Sequence, residues 1–335
     1  MKRIGISIGD INGIGPEVAL KAVGKHRWSA EVQFVFIGSE QIVREQATAM
    51  HIPVSRRIEF LNVEQASLPA QSMKGRQPRS FGVAHVNWHP GAIRVDASRL
   101  AEAAIRTAVE GCLSGELNAL VTAPICKEGF HKTGIHVPGH TEYLAELTNT
   151  RNFGMMLIGG GLRVMLVTRH LPISEVPSAL TRKNIREHIE LTGAALKLFG
   201  IKNGKIGVCG LNPHAGDGGV LGTEEKTLIN PAIRTARKKG YRVSDAIPAD
   251  TIFYEALRGD YAAVVAMYHD QGLGPLKMIG FDEGINVTLG LPIIRTSPDH
   301  GTAFGISGKN LASPESMKNA IALAIEMAGK PNPWK

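Results

Sequence analysis

Cysteine is scarce in this sequence: Cys112, Cys126 and Cys209 are an odd number lying far apart, without the paired spacing of a zinc ribbon or a disulfide framework. They read as reduced, structural thiols. Aromatic residues make up 5% of the chain and do not interleave with cations, which argues against stacking on single-stranded nucleic acid. Long apolar runs are missing too. Phe153–Leu162 and Ala262–Met267 fall far short of the roughly 20 residues of a membrane span. The start, Met1 to Asp10, is basic and then apolar, but it runs into a glycine turn too soon for a signal sequence. It reads as a first buried strand, and a cytoplasmic protein is expected. Repeats, low-complexity tracts and an obvious linker are absent as well.

What is present is ordinary globular composition, 335 residues with 43% apolar and 20% charged. The formal charge of +8 is scattered, clustering at Arg237-Lys238-Lys239 and Arg182-Lys183, and an anionic small substrate explains its sign as well as nucleic acid does. Apolar, β-branched runs recur at Arg3–Ile8, Val32–Ile37, Ala119–Thr122, Met155–Ile158, Arg163–Thr168, Lys205–Cys209, Ala262–Met267 and Gly284–Leu289, and read as strands. Helical patterns lie between many of them, at Pro16–Val23, Ser98–Leu113, Asn184–Leu198, Thr223–Lys239 and Pro314–Met327, the last with Ser313-Pro314 as N-cap and first residue. This alternation predicts an α/β fold with a largely parallel sheet. Gly159-Gly160-Gly161 between two strands adds a local hairpin and makes the sheet mixed. Ala66–Ile93, rich in Pro, Ser, Gly and Gln, reads as a long loop.

Four constellations carry chemistry. Gly9–Glu17 follows the first strand and opens the first helix, so it can offer backbone N–H groups to an anion, but it lacks the third glycine of a dinucleotide fingerprint. His170, His214 and His269 each lie just beyond the C-terminal end of a predicted strand, the edge where open α/β sheets bind ligands. Three neutral imidazoles there suit a divalent metal with a position open for substrate, although each alone reads equally as a surface or core histidine. Pro138-Gly139-His140-Thr141-Glu142 opens a helix, and Lys277, Asn286 and Arg295 follow at intervals of nine residues, a set able to clamp phosphate or carboxylate. A strand with solvated basic flanks is the alternative there. Finally, Ser297–Lys309 gathers small residues around His300, as a loop wrapping a flat or phosphorylated ligand would.

Gly9–Glu17, Val121-Thr122-Ala123-Pro124 with Lys127, Pro138–Glu142, Asn212–Gly219, Tyr268–Gly272 and Asn286–Thr302 together resemble the 4-hydroxythreonine-4-phosphate dehydrogenase family, in order and over nearly the whole chain. The resemblance implies the two-lobed isocitrate/isopropylmalate dehydrogenase type of α/β fold with mixed sheets, not a Rossmann fold. It implies residues 1–127 with 302–335 in one lobe and 128–301 in the other, the latter with the metal ligands and dimer contact. It places a divalent metal (zinc, magnesium, cobalt or manganese) on His170, His214 and His269, substrate on His140, Thr141, Lys277, Asn286 and Arg295, and NAD or NADP on His300, Gly301, Thr302 and Ala303. It also implies a homodimer whose active sites draw on both subunits. The chain departs from the family at Ile11-Asn12, where Pro-Ala is common and a neutral effect is expected, and at Gly305, where Asp is common, leaving NAD or NADP open.

The expected reaction is metal- and NAD(P)-dependent oxidation of 4-phosphooxy-L-threonine to a 3-keto acid that loses CO2 to give 3-amino-2-oxopropyl phosphate, in pyridoxal phosphate biosynthesis. Asp250, Asp270 and Lys277 are the candidates for proton transfer or ligand support. D-threonate or D-erythronate 4-phosphate is the alternative substrate. A non-catalytic phosphate-binding protein would keep His140, Lys277 and Arg295 without needing three placed histidines. Neither nucleic acid nor membrane is expected as a partner.

Overall fold

The computed structural model describes residues 1–63, 86–137 and 139–335. The expected loop at Ala66–Ile93 lies outside the described residues up to 85, and Pro138 lies outside them too; residues 86–93 carry neither helix nor strand. Two compact units form, Met1–Asn149 with Ile293–Gly329 and Thr150–Pro292 with Lys330–Lys335.

In the first unit, β1 (Lys2–Ser7), β2 (Val32–Gly38), β3 (Ile58–Asn62), β4 (Ala119–Thr122) and β11 (Arg295–Pro298) lie in the order β3-β2-β1-β4-β11, all parallel. Ile4–Ser7 of β1 and all of β4 are buried, as befits central parallel strands covered on both faces. Helix Val95–Ser114 packs across β1, β2 and β4 through Leu100, Ala101, Ala104, Ile105 and Ala108, and stops at Gly115, whose φ of 87° needs no Cβ.

In the second unit, β5 (Gly154–Gly159), β6 (Leu162–Leu166), β7 (Ile206–Cys209), β8 (Val243–Ile247), β9 (Ala263–Ala266) and β10 (Ile285–Leu289) lie in the order β10-β5-β6-β9-β7-β8. β10, β5 and β6 pair antiparallel, and β6, β9, β7 and β8 pair parallel. The expected hairpin is present: Gly160 and Gly161, φ 55° and 84°, turn β5 into β6 as a two-residue loop of two left-handed residues. One apolar core, including Leu157, Val164, Leu166, Phe253, Val264 and Leu276, backs this sheet.

Three expectations are corrected. β3, β8 and β11 are strands the pattern missed, because they are short and rich in polar residues. The single helix expected over Thr223–Lys239 is a π-helical turn, Glu225–Ile229, followed by an α-helix, Asn230–Lys238. The last helix begins at Glu315 with Pro314 as its N-cap, one residue later than expected, although the Ser313 hydroxyl still accepts from Glu315 N at 3.4 Å.

Candidate active site

The parallel register Leu166↔Ala266 of β6 and β9 continues past both strands, since Val167 N donates to Ala266 O and Thr168 N to Met267 O. It thereby brings His170 and His269 side by side, with ring centroids 5.7 Å apart and the rings tilted by 43°. His269 opens the helix His269–Gly280, and its Nδ1 lies 2.6 Å from Asp270 Oδ1. A carboxylate on Nδ1 fixes the proton there and leaves Nε2 as the free lone pair, the usual support behind a metal-binding imidazole. Gln271 ties this edge to the next strand, accepting from Met267 N and donating to Gly210 O, each at 2.7 Å.

His214 follows β7 on a turn of unusual backbone. His214, Ala215, Gly216, Asp217 and Gly218 all have φ between 43° and 81°, and three of them are not glycine, each costing roughly 1–2 kcal/mol in this region. The buried carboxylate of Glu225 compensates: Oε1 accepts from Leu211 N and Asn212 N, both at 2.8 Å, while Asn212 Nδ2 donates to Glu224 and Glu225. A Cβ on Gly216 would fall 2.5 Å from Glu225 Oε2, so this glycine is required for close approach as well as for φ. Glu225 had no signal in the sequence except its position in an acidic pair after the turn.

The paired imidazoles with a carboxylate behind one of them fit a divalent metal chemically. Within one chain, however, no group of three His, Cys, Asp or Glu able to hold a metal forms among the described residues, so His214 is not gathered with His170 and His269. Lys277 lies on the helix that His269 opens, with Nζ 5.7 Å from the Phe281 ring centre. Asn286 is on β10, and its buried Oδ1 has no protein partner. Asp250 is exposed in the first turn of the helix Ala249–Leu257, after the edge strand β8.

The remaining candidates belong to the first unit. Arg295, at the start of β11, is 1% exposed and donates from Nε and an Nη to Thr122 Oγ1 at 3.1 and 2.6 Å. Burial pulls its pKa down to about 9, against the opposing pull of Glu142. His140 opens the helix His140–Leu147, and its Nε2 is buried without a partner. Burial, then the charges of Arg295 and Lys127, hold His140 well below the usual imidazole range, so it is neutral at pH 7. A Cβ on Gly139 would lie 3.4 Å from Glu142 Oε2 and 3.7 Å from Lys127 Cε. Thr122, Lys127, His140, Glu142 and Arg295 therefore converge, a polar enclosure with two cations that suits a phosphate or carboxylate. Helix His140–Leu147 is anchored by Tyr143, which donates to Glu102 Oε1 at 2.5 Å, with Arg106 bound to both. His140 and Arg295 of this set are legible in the sequence, Thr141 is buried next to His140, and Thr122 and Lys127 carry no expected role.

The glycine turn and the Ser297–Lys309 loop also meet. Ile14 N donates to Thr302 O at 2.9 Å, and Ser307 Oγ to Gly13 O at 3.1 Å. Ala303 is left-handed (φ 42°), and a Cβ on Gly301 or Gly305 would meet nothing within 4 Å, so the loop has open ground. His300 donates from Nδ1 to Gly301 O, and its buried Nε2 has no partner; burial lowers its pKa, so it too is neutral. An unpartnered acceptor beside open glycine backbone fits a dinucleotide. Asn12, expected to be a neutral departure, is fully buried, and its backbone N–H, Oδ1 and Nδ2 each make a hydrogen bond.

Residues 30–324 match the family described as pyridoxal phosphate biosynthetic protein PdxA. The chain belongs to this family. It is 43% identical to a 4-hydroxythreonine-4-phosphate dehydrogenase of Ruegeria sp., over 97% of this chain and 96% of that one. It is 36% identical to a D-threonate 4-phosphate dehydrogenase of Pectobacterium atrosepticum, over 98% and 99%. The crystal structure of the 4-hydroxythreonine-4-phosphate dehydrogenase of Klebsiella pneumoniae superposes with a TM-score of 0.81 at 36% identity, covering 98% of this chain and all of that one. PdxA membership carries the fold expectation: a two-lobed α/β architecture with mixed sheets, not a Rossmann fold. It also makes this chain an NAD(P)-dependent dehydrogenase.

Proposed function

We propose that this PdxA protein oxidises 4-phosphooxy-L-threonine at its C3 hydroxyl and releases 3-amino-2-oxopropyl phosphate and CO2, in pyridoxal phosphate biosynthesis. The observation that carries the reading is the His170–His269 pair with Asp270 behind it, which a mere phosphate binder would not need. His170, His269 and His214 would hold the divalent ion, which supplies a Lewis acid that lowers the pKa of the alcohol and steadies negative charge on the product oxygen. Imidazole donors favour zinc or cobalt, with magnesium and manganese as the alternatives.

The chain's own residues do the rest. Arg295 and Lys127 neutralise the substrate phosphate, and neutral His140 and Thr141 complete its hydrogen bonding. Lys277 and Asn286 contact the substrate, and Asp250, Asp270 and Lys277 are the groups through which protons move or by which ligands are held. His300, Gly301, Thr302 and Ala303 would hold the oxidised nicotinamide dinucleotide, which would supply the hydride acceptor for C3, while the C3 hydroxyl gives up its proton. The carboxylate is then β to a ketone, so the C1–C2 bond breaks, its electron pair stays on C2, and Lys277 delivers the proton that C2 takes up.

A homodimer completes the site in this reading. His214 is not gathered with its two partners in one chain, and large apolar side chains stand exposed beside the candidates: Ile173 (68%) near His170, Val220 (80%) after the His214 turn, Met278 (83%) and Phe281 (72%) around Lys277. A second copy would cover them and bring its own His214. The NAD(P) requirement suits the cytoplasm.

D-threonate 4-phosphate is the second reading, favoured by the Pectobacterium relative. It differs in carrying hydroxyl instead of amine at C2. NAD(P)H formation with 4-phosphooxy-L-threonine, D-threonate 4-phosphate and D-erythronate 4-phosphate, before and after chelation and metal add-back, separates the cases. Metal-restored turnover of the amino acid is expected. Preference for a sugar-acid phosphate would move the protein to the second reading, and no turnover of any would leave a binding protein.

A further inference from the structure

We propose that Asn12 is a positioning residue for the dinucleotide, acting through the segment Trp88–Ala92; the proposal rests on reading the loop around His300–Ala303 as the cofactor loop. Asn12 has 0% exposure and binds the segment at three points. Its Oδ1 accepts from His89 N at 2.8 Å, its Nδ2 donates to Ala92 O at 3.0 Å, and its own carbonyl accepts from Gly91 N at 2.8 Å. Its backbone is fixed in turn, since Asn12 N donates to Asp10 Oδ1 at 2.9 Å.

The segment so held rests on the far end of the same loop. Gly91 (φ 80°) lies so close that a Cβ there would be 3.1 Å from Phe304 O, and a Cβ on Gly308 (φ 74°) would be 3.1 Å from Trp88 Cζ2 and 3.2 Å from Pro90 Cβ. The neighbouring residues of Asn12 hold the loop directly at two points, Ile14 N donating to Thr302 O and Gly13 O accepting from Ser307 Oγ. One buried amide thus links the turn, the segment and the loop, all within the first unit. The indole Nε1 of Trp88 and the Nε2 of His300 are both buried without a partner, a donor and an acceptor left for something other than protein. A planar group bearing both hydrogen-bond types, such as the carboxamide or base of a dinucleotide, meets that demand.

Removing the amide leaves the loop's own residues untouched but frees the segment beneath it. The test is the Kd for NADH and NADPH, by fluorescence titration of the full-length protein, with KM for both substrates, on Asn12→Ala, Gly308→Ala and His300→Ala. Asn12→Ala should weaken the dinucleotide about tenfold, equivalent to about 1.4 kcal/mol, with kcat and the KM of the phosphorylated substrate within about twofold. Gly308→Ala, which pushes Trp88 and Pro90 away without altering Asn12, should shift the same constant in the same direction, and serves if Asn12→Ala folds poorly. If His300→Ala weakens the dinucleotide while Asn12→Ala and Gly308→Ala do not, the positioning role is wrong and the cofactor loop stands. If His300→Ala changes only the phosphorylated substrate, the cofactor reading fails and takes the proposal with it.

Discussion

His140 and Arg295 show how burial sets chemistry at the scale of single residues. Each would be charged or half-charged in water, yet enclosure keeps the imidazole neutral and lowers the guanidinium to about 9, still a cation at pH 7. Neutral imidazole and charged guanidinium together suit phosphate recognition, since one offers a shaped hydrogen bond and the other charge. Arg295→Met should raise the KM for the phosphorylated substrate about 30- to 100-fold, as loss of about 2–3 kcal/mol of charged hydrogen bonding implies; steady-state kinetics checks this. His140 also makes a pH prediction. The folded chain keeps it neutral, while the unfolded chain protonates it near 6.5, so the unfolded state binds more protons below that value and stability falls as pH drops through it. His140→Gln should remove this loss, roughly 1.4 kcal/mol per pH unit below 6.5, and melts between pH 7.5 and 5 would show a flatter dependence than the wild type.

The turn Pro213–Gly219 and its neighbour Glu225 act at the scale of elements. Three non-glycine residues in left-handed conformation are tolerable because a buried carboxylate binds the backbone on the approach to them. Strain held in this way presents His214 in a fixed direction. Ala215→Gly should relieve part of it and raise the unfolding temperature, whereas a lower temperature would mean the Ala215 Cβ, against Gly210, is worth more than the strain. Glu225→Ala should weaken metal binding about tenfold or more in calorimetric titration, with Glu225→Gln recovering most of it, because the amide oxygen can still accept from Leu211 N and Asn212 N. Legibility in the sequence followed the same divide. β1 and β4 were readable because their flanking layers bury both faces. β11, Arg295–Pro298, is equally buried but begins with arginine and ends with proline, and helix His269–Gly280 carries Gly272, Gly274 and Pro275 inside it, so propensity pointed away from both. Histidines just past strand ends could be named from spacing, but their pairing depends on which strands are neighbours, and β6 next to β9 spans almost 100 residues of sequence.

For the whole molecule, one chain brings together two of three expected metal ligands and leaves large apolar side chains exposed near His170, after the His214 turn and around Lys277. If His214 reaches the His170–His269 pair of a second copy, His170→Ala and His214→Ala, each inactive alone, should complement when unfolded and refolded as a mixture. Half of the resulting dimers would be mixed, and each would have one intact site, giving up to about a quarter of wild-type activity. No recovery would place all three ligands in one chain after a rearrangement. The central claim is tested most directly by measuring NAD(P)H and CO2 together during turnover of 4-phosphooxy-L-threonine by the metal-loaded protein. The account predicts equal amounts of both, lost on chelation and restored by metal. NAD(P)H without CO2, or no reaction with metal present, would contradict it.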